Sequence, residues 1–479
     1  MLALVAAAAV MMSVSCRKAD SKEPKPNLPD TTNNIPDEAA ANKPLMKDFM
    51  GLNGHFQFKP DLYKQVVKQV RNYHNVDWDV AKPGDPITIP NTINGVDWKN
   101  DLYLFWKNAG FETDICIQFA SFGAENQNFK TIWKGKEQWS YDYTKAMAKY
   151  FGPSGTEKLA TTFEIDNEPG KRVDAATFQT IFKQMAKGIR DGDPKAKIVT
   201  PTIQARAADD YSQDVRTFYG QADILPLYDV LNVHTYPTLP QGAGNPNSWN
   251  RTYPEDASAN YLKVAQEVID WRNTTAPGKQ VWITEFGYDA PTEAAMKNRT
   301  GWFLELDWQG HTDLQQAQYL VRSFLAFAPM DINRAYLYYF NDEDEAAFHA
   351  ASGLTRKFVP KMSFYAVKQL YNTLGEYRFA RVIKKETGDV FVYEFRHGSD
   401  PNNRVWVAWS PTGVKSHEKN GYKPREARIT LSGLPGKPVS VKAMATTSAA
   451  PAEANWEKKS DTEIAVTIGE GPVYIQLQK

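Results

Sequence analysis

Residues 160–202 read ATTFEIDNEPGKRVDAATFQTIFKQMAKGIRDGDPKAKIVTPT, and this segment shows the repeating unit of the fold most clearly. Its two ends are short apolar runs typical of buried strands, and its middle repeats apolar residues at spacings of three and four, as an amphipathic helix does. The helical pattern ends at Asp191-Gly192-Asp193-Pro194, where a glycine and a proline both stop a helix. A strand, a helix and a second strand in this order predict a parallel βαβ unit.

The same unit recurs along most of the chain. We predict eight strands, which cover residues 49–55, 75–80, 111–119, 160–165, 197–202, 228–236, 280–287 and 334–340. Longer amphipathic patterns lie between them, including those over 61–74, 174–194, 258–273 and 314–330. No G-x-G-x-x-G motif follows a strand and no G-x-x-x-x-G-K-[ST] motif occurs, which disfavours a nucleotide-binding open sheet. Eight alternations of strand and helix therefore predict a closed (β/α)8 TIM barrel.

The pattern changes after the last predicted helix, at residues 361–374. Period-two segments separated by Gly, Pro and Asn turns predict antiparallel strands over 389–397, 403–410, 425–433, 437–445 and 463–478. We therefore predict a barrel domain over 48–374 and an antiparallel β-sandwich domain over 375–479.

The N-terminal residues resemble a bacterial lipoprotein signal. MLALVAAAAVMMSVS (1–15) is a short apolar run that ends in a small residue, and Cys16 follows it. The resemblance implies cleavage before Cys16 and a lipid on that cysteine, which would anchor the protein in the outer membrane or at the cell surface. A plain secretory signal, giving a periplasmic or secreted protein, is the alternative, and a membrane-spanning helix would need about 20 apolar residues. Because residues 17–43 are rich in Lys, Pro, Asp and Asn, we predict a flexible tether over 17–47.

Charge and motifs exclude several kinds of partner. Lys and Arg number 56, as do Asp and Glu, and no long basic block is present, so nucleic acid is not an expected partner. The seven histidines form neither an H-x-H pair nor an H-E-x-x-H motif, so no metal and no other cofactor is predicted. The two cysteines cannot build a disulfide framework, and Cys116 is most simply a core residue of the third strand. We expect a monomer.

Two glutamates close the fourth and seventh predicted strands, at the end of the barrel where (β/α)8 enzymes place their active sites. The fourth strand runs into FEIDNEPG (163–170), which contains Asn167 and Glu168, and the seventh runs into WITEFG (282–287), which contains Glu285. These paired motifs, in this strand order, resemble those of the clan A glycoside hydrolases, loosely family 39 and neighbouring endo-glycanase families. For either glutamate alone, the alternative is a buried ion pair with an arginine.

The resemblance implies a retaining β-glycosidase that works by double displacement. Cleavage with retention uses two carboxyl groups about 5 to 5.5 Å apart, one as the nucleophile and one as the acid and then the base. By the resemblance, Glu285 is the nucleophile, Glu168 is the acid and base, and Asn167 donates to the sugar 2-hydroxyl. The charge of Glu285 is expected to keep Glu168 protonated until the glycosyl-enzyme forms.

Other residues near the strand ends are candidate substrate contacts. His234 and Tyr236 point to the same side of the sixth strand, and by the resemblance the Tyr236 hydroxyl bonds the nucleophile. Asn53 and His55 end the first strand and are candidate contacts to the glycone. The segment 71–75 precedes the predicted second strand, and so we expect it at the opposite rim of the barrel.

Aromatic residues are predicted to bind the faces of sugar rings. The eighth strand offers Tyr338-Tyr339-Phe340 where many clan A enzymes carry a Trp, and we assign the stacking role to Tyr339. Several Trp residues lie in the long segments after strands three, six and seven, where they are either core residues or stacking platforms. Trp249 and Trp302 are the predicted platforms, and the others are Trp133, Trp139 and Trp308.

The expected substrate is therefore a poly- or oligosaccharide. The segments 236–256 and 286–311 could wall a cleft with several subsites, because loops longer than about 12 to 15 residues are usually functional. This favours endo action, and exo release of single sugars is the alternative if the same loops close one end of the cleft. A glycan-binding surface lipoprotein that no longer turns over substrate is the alternative from another functional class.

Overall fold

The structure is a computed structural model, and it describes residues 42–54, 59–90, 97–120, 122, 128–170, 173–205, 210–240, 242, 249–385, 390–400 and 402–478. Eight parallel strands form a closed barrel in sequence order, so the predicted (β/α)8 barrel is confirmed. The barrel strands are Met50–Asn53 (β1), Gln69–Asn75 (β2), Glu112–Gln118 (β3), Thr162–Ile165 (β4), Lys197–Thr202 (β5), Val230–His234 (β6), Gln280–Phe286 (β7) and Arg334–Leu337 (β8).

Amphipathic helices cover the outside of the barrel and pack their apolar faces on the strands. Two of the long helices have capped N-termini: Asp174 accepts from the Thr177 N–H, and Thr312 forms a capping box with Gln315. The α-helices are Met46–Phe49 (α1), Pro60–Tyr63 (α2), Leu104–Asn108 (α3), Asn128–Trp133 (α4), Glu137–Phe151 (α5), Ala175–Gly192 (α6), Asp210–Tyr219 (α7), Tyr261–Thr275 (α8), Glu293–Lys297 (α9), Gly301–Glu305 (α10), Asp313–Phe327 (α11) and Met362–Leu374 (α12). Short 3-10 turns occupy Val76–Trp78, Leu225–Leu227 and Ser416–Glu418, and a π-helical turn occupies Trp98–Tyr103.

Large side chains fill the lower part of the barrel interior. Val199, Val230, Trp282 and Tyr336 form a separate buried cluster there. Gly51 faces the ring of Tyr336, which a Cβ at this position would meet at 2.4 Å. Because this end is closed by packed side chains, a ligand can reach the barrel only at its other end, where the strands finish.

The second strand lies elsewhere than its prediction. We expected a helix over 61–74 and a strand over 75–80, whereas the structure has the short helix α2 and then β2 at Gln69–Asn75. The prediction was wrong because Arg71 and Tyr73 point into the barrel, so the strand lacks the apolar alternation expected of a half-buried strand. Buried carboxylates pair with Arg71 and stabilise this polar strand.

The C-terminal residues form the predicted antiparallel β-sandwich. Its strands are Tyr377–Lys385 (β12), Phe391–His397 (β13), Asn403–Trp409 (β14), Ala427–Ser432 (β15), Lys437–Ala443 (β16), Trp456–Ser460 (β17), Glu463–Ile468 (β18) and Val473–Gln478 (β19). One sheet has five strands in the order β12-β13-β14-β19-β16, and the other has three strands in the order β15-β18-β17. The prediction missed β12 and β17.

A small sheet of Asn341–Asp342 (β9), Thr355–Arg356 (β10) and Val359–Pro360 (β11) follows β8.

The sandwich is joined to the barrel by a buried polar network. Arg322 on α11 pairs with Glu255, and both side chains are nearly inaccessible. The Trp409 indole donates to Glu255 at 2.7 Å, and Arg322 donates to the Thr412 carbonyl at 2.8 Å. Ser416 donates its N–H to the carbonyl of Arg251, in the segment that follows β6. The sandwich therefore supports the segment that follows β6, at the end of the barrel where the strands finish.

The predicted signal at 1–16, Cys16 and most of the predicted tether lie outside the described residues. Lys43, near the start of the described chain, donates to the carbonyls of Pro329 and Met330, just before β8 begins. This contact lies at the end of the barrel opposite the glutamates. Among the helices that the structure describes, none is both long and apolar enough to cross a bilayer.

Candidate active site

The carboxyl ends of the strands surround a polar site that contains both predicted glutamates. One carboxylate oxygen of Glu168, one of Glu285 and a ring nitrogen of His234 lie within 4.8 Å of one another. The chain turns at Asp166, immediately after β4, where φ is 66°. Glu168 follows this turn with 39% of its side chain exposed, whereas the side chain of Glu285, on β7, is only 8% exposed.

Hydrogen bonds hold the Glu285 carboxylate from both sides. Its Oε1 accepts from Arg71 Nη1 at 3.0 Å and from the Tyr73 hydroxyl at 2.5 Å, and its Oε2 accepts from the Tyr236 hydroxyl at 2.9 Å. Burial alone would raise the pKa of Glu285, but the charges of His234 and Arg71 and the hydrogen bond from Tyr73 outweigh it and lower the pKa to about 2. The carboxylate is therefore ionised at any ordinary pH.

Arg71 organises the floor of the site from β2. It is fully buried and forms a bidentate pair with Glu164 through Nε at 2.8 Å and Nη2 at 2.7 Å. Its Nη2 also donates to Oδ1 of Asn167 at 2.6 Å. Because a guanidinium can only donate, this contact fixes the amide orientation of Asn167 and turns its Nδ2 donors away from Arg71. The predicted donor to a sugar hydroxyl thus has a defined orientation, and its role remains a prediction.

A chain of hydrogen bonds fixes the tautomer of His234. Asn232 Nδ2 donates to Glu164 at 3.0 Å, so Asn232 Oδ1 faces and accepts from the Thr284 hydroxyl at 2.6 Å. Because the hydroxyl proton of Thr284 is donated to Asn232, the Thr284 oxygen accepts a hydrogen bond from His234 Nε2 at 2.9 Å. His234 Nδ1 then lies 2.5 Å from Oε1 of Glu168.

The two glutamates near His234 change the pKa of its imidazole. Burial would lower the pKa of His234, but the negative charges of Glu285 and Glu168 raise it above its ordinary value. His234 is fully buried, so it contacts Glu168 instead of the predicted substrate.

One predicted substrate contact, Asn53, takes another role in the structure, and a second, Tyr339, keeps its predicted role untested. Asn53 is fully buried: its Nδ2 donates to the Thr284 carbonyl at 2.9 Å, and its Oδ1 accepts from Arg71 at 2.8 Å. A buried and satisfied amide cannot reach a sugar, so Asn53 supports Arg71. The Tyr339 hydroxyl donates to the Ala350 carbonyl at 3.2 Å. That hydrogen bond involves the hydroxyl and not the face of the Tyr339 ring, whose stacking role remains a prediction. The pKa of the neighbouring Tyr338 hydroxyl is raised, first by burial and then by the charge of Glu285.

The predicted aromatic platforms divide into core and rim residues. Trp133 and Trp308 are buried, and Trp139 is half-buried and packs on the core. Trp302 is 49% exposed and its ring centroid lies 6.1 Å from that of the half-buried Trp249, in the segments after β7 and β6. These two residues form an aromatic rim, and their contact with substrate remains a prediction. His55 lies outside the described residues.

The sequence reasoning missed several residues of this site. Arg71 and Tyr73 belong to the segment assigned to the opposite rim, and Glu164 and Thr284 lie inside strands that were read only for their end residues. Glu164 could have indicated a buried cation in this site. It is a carboxylate within an otherwise apolar strand, and a buried charge requires a partner.

The same three side chains have the spacing of metal ligands. The atoms of Glu168, His234 and Glu285 are close enough to hold one ion. However, the guanidinium of Arg71 lies 3.0 Å from Glu285 and would repel a divalent cation bound there. The donor set therefore favours a pair of reacting carboxyls, and the absence of a metal requirement remains a prediction.

Comparisons with known proteins match the fold. No family profile and no curated protein matches the sequence of this chain. A family 39 glycoside hydrolase from the gut symbiont Bacteroides cellulosilyticus WH2 is similar in structure, with a TM-score of 0.64 and 14% identity over 92% of this chain and 82% of that one. The family 39 enzyme from Xanthomonas axonopodis pv. citri has a TM-score of 0.58 and 14% identity, over 92% of this chain and 96% of that one. A monomeric β-xylosidase from Caulobacter crescentus CB15 has a TM-score of 0.56 and 15% identity, over 91% of this chain and 97% of that one. At such identities the similarity is one of fold.

Proposed function

We propose that the protein is a retaining glycoside hydrolase that cleaves β-linked glycosidic bonds in a poly- or oligosaccharide. The observation that carries the proposal is the contrast between two neighbouring carboxyl groups. Glu285 accepts three hydrogen bonds and its pKa is lowered to about 2, whereas Glu168 is partly exposed and lies 2.5 Å from His234 Nδ1. Pairs of titratable groups held in different states are typical of acid and base assignments in enzymes. The fold of the three glycoside hydrolases above supports the same conclusion.

The spacing of the carboxyl groups supports retention. Retaining enzymes separate them by about 5 to 5.5 Å, whereas inverting enzymes leave about 6.5 to 9.5 Å for a water molecule. One oxygen of Glu168 and one of Glu285 lie within 4.8 Å of each other, which is closer to the retaining spacing than to the inverting one. Direct attack by one carboxylate is the reaction that this spacing allows.

In the first step, Glu285 attacks the anomeric carbon while Glu168 protonates the departing glycosidic oxygen. The bond from the sugar to the leaving oxygen breaks as the ester to Glu285 forms. Arg71, Tyr73 and Tyr236 hold the attacking carboxylate in place, so little orientation is lost when substrate binds.

In the second step, Glu168 acts as the base and takes a proton from water, which attacks the glycosyl ester. The ester carries no charge, so Glu285 no longer favours the protonated form of Glu168, and Glu168 can remain ionised. The departing Glu285 carboxylate recovers its three hydrogen bonds.

We further propose endo action and attachment to a membrane through a lipid on Cys16. The aromatic rim of Trp249 and Trp302 supports a cleft with binding sites beyond the reacting sugar. The apolar run before Cys16 supports the lipid anchor. A tether that continues from Lys43 joins the barrel at the end opposite the glutamates, which leaves the cleft open to a polymer.

The test compares three matched variants on a panel of aryl β-glycosides and polysaccharides. Glu285→Gln should abolish turnover of every substrate, and Glu168→Gln should spare substrates whose leaving group needs no protonation, such as dinitrophenyl glycosides. Glu457→Gln, an exposed glutamate of the sandwich, should behave like the wild type. Full activity of Glu285→Gln would refute the assignment. Glycan binding without turnover by the wild type would instead support the non-catalytic alternative.

A further inference from the structure

His349 lies beside the proposed nucleophile but takes no part in the mechanism above. It belongs to the segment between β9 and β10, and its ring centroid lies 4.4 Å from that of Tyr236 and 5.6 Å from that of Tyr338. Tyr236 in turn bonds Glu285. The imidazole is therefore separated from the reacting carboxylate by a single aromatic ring.

The neighbouring Arg251 fixes which nitrogen of His349 carries the proton. Its Nη2 lies 3.2 Å from His349 Nδ1. A guanidinium can only donate, so Nδ1 is the acceptor and the neutral ring carries its proton on Nε2. Burial and the charge of Arg251 both lower the pKa of His349, which keeps the ring neutral. No described residue accepts a hydrogen bond from Nε2, and this atom is not among the polar atoms closed off from solvent.

A buried clamp holds His349 in this position. Its φ is 62°, a left-handed conformation that is costly for a residue with a side chain. Asp289 stabilises it by accepting from the His349 N–H at 3.1 Å and from the Ser352 hydroxyl at 2.8 Å. Asp289 also pairs with Arg251 at 3.1 Å. Strain that the surroundings hold in place at the mouth of a site points to a functional role for the strained residue.

The next residue connects this clamp to the aromatic rim. The ring of Phe348 lies 4.6 Å from that of Trp249 and 5.3 Å from that of Trp302. Residues 348 and 349 thus form a continuous wall from the exposed rim to the floor of the site. Tyr236 bonds Glu285 and contacts His349, so a sugar ring seated on Glu285 would lie near this wall.

We propose that His349 is a specificity residue that donates a hydrogen bond from Nε2 to one hydroxyl of the sugar ring at the reacting bond. Arg251 and Asp289 are positioning residues for this donor. The charge of Arg251 is matched by Asp289, so the wall offers an uncharged donor that suits a neutral hydroxyl group. The inference rests on the proposed glycosidase function. It adds that a glycoside without this hydroxyl is a poorer substrate than one that carries it.

The test is a double-mutant cycle between the enzyme and its substrate. The wild type is first assayed on 4-nitrophenyl β-glycosides, and the best substrate is then compared with its monodeoxy analogues at each ring position. We expect kcat/KM to fall about three- to tenfold on the analogue that lacks the recognised hydroxyl, as for one neutral hydrogen bond. His349→Phe, which keeps a ring and removes the donor, should lose the same factor on the parent glycoside and nothing further on that analogue.

A second variant separates this role from a structural one. His349→Asn keeps a residue that tolerates the left-handed conformation but is too short to reach the sugar, and it should repeat the cycle even if His349→Phe folds poorly. Losses that add on every analogue in the folded variants would overturn the inference and leave the glycosidase function standing. A wild type that cleaves no glycoside would refute the proposed function, and the inference with it.

Discussion

Replacing Tyr73 with Phe tests how the site keeps its nucleophile ionised. The substitution removes the hydroxyl that donates to Glu285 Oε1 at 2.5 Å and keeps the ring, whose centroid lies 4.8 Å from the Arg71 guanidinium. The other two hydrogen bonds to the carboxylate, from Arg71 and Tyr236, remain. The substitution also removes the acceptor of a hydrogen bond from Arg71 Nη1 at 3.0 Å, so the change is confined to the contacts of one hydroxyl.

The size of the effect follows from the contact that is lost. A hydrogen bond to a charged group contributes about 1.5 to 3 kcal/mol, and one pKa unit corresponds to about 1.4 kcal/mol. Tyr73→Phe should therefore raise the pKa of Glu285 from about 2 by roughly one to two units. Because the reaction needs an ionised Glu285, the acid limb of the kcat/KM profile should move to higher pH by the same amount.

Two measurements check this shift, and a matched variant controls for the loss of a phenol. The first is the pH profile of kcat/KM, and the second is a 13C titration of labelled glutamate carboxyls, assigned with Glu285→Gln. Tyr338→Phe removes the same group from a nearby ring that makes no described hydrogen bond to Glu285, and its acid limb should stay at the wild-type position. An unchanged Glu285 titration in Tyr73→Phe, or an equal shift in Tyr338→Phe, would show the reasoning to be wrong.

Other parts of the molecule give further predictions. Trp302→Ala and Trp249→Ala should raise KM on long oligosaccharides more than on short ones, because they remove stacking surface away from the reacting bond; equal effects on all chain lengths would argue against endo action. Cys16→Ser should move the protein from the membrane fraction to the soluble fraction with unchanged activity, and membrane binding that persists would place the anchor elsewhere. Arg322→Met should lower the free energy of unfolding by about 3 to 5 kcal/mol in a urea titration, because Glu255 is left buried without its partner. A loss below about 1 kcal/mol would mean that Glu255 is hydrated or protonated in the variant.

The sequence predicted those parts of the fold whose residues follow a simple period. The strands β4 to β8 and the helices α6, α8, α11 and α12 bury apolar faces, and each was found close to its predicted place. Glu168 and Glu285 were also predicted to lie close together, because the carboxyl ends of the strands in a barrel converge on one site. For these elements, the apolar period of the sequence and the packing in the barrel favour the same secondary structure.

The sequence could not predict features that depend on contacts across the barrel. β2 was missed because Arg71 is polar, and only the carboxylate of Glu164, far along the chain, makes a buried arginine stable there. His349 carried no signal, because its orientation depends on Arg251 and Asp289 in two other segments. Asn53 was placed at the right strand end, but whether an amide faces a sugar or an arginine depends on depth, which periodicity does not report.

The configuration of the first product tests whether Glu285 attacks the sugar directly. Proton NMR of the anomeric region can follow hydrolysis of an aryl β-glycoside or a β-linked oligosaccharide before mutarotation. Two displacements at the anomeric carbon return it to its starting configuration, so the β-anomer should appear first. An α-anomer that forms first would mean that water attacks in a single displacement, and it would contradict the assignment of Glu285 as the nucleophile.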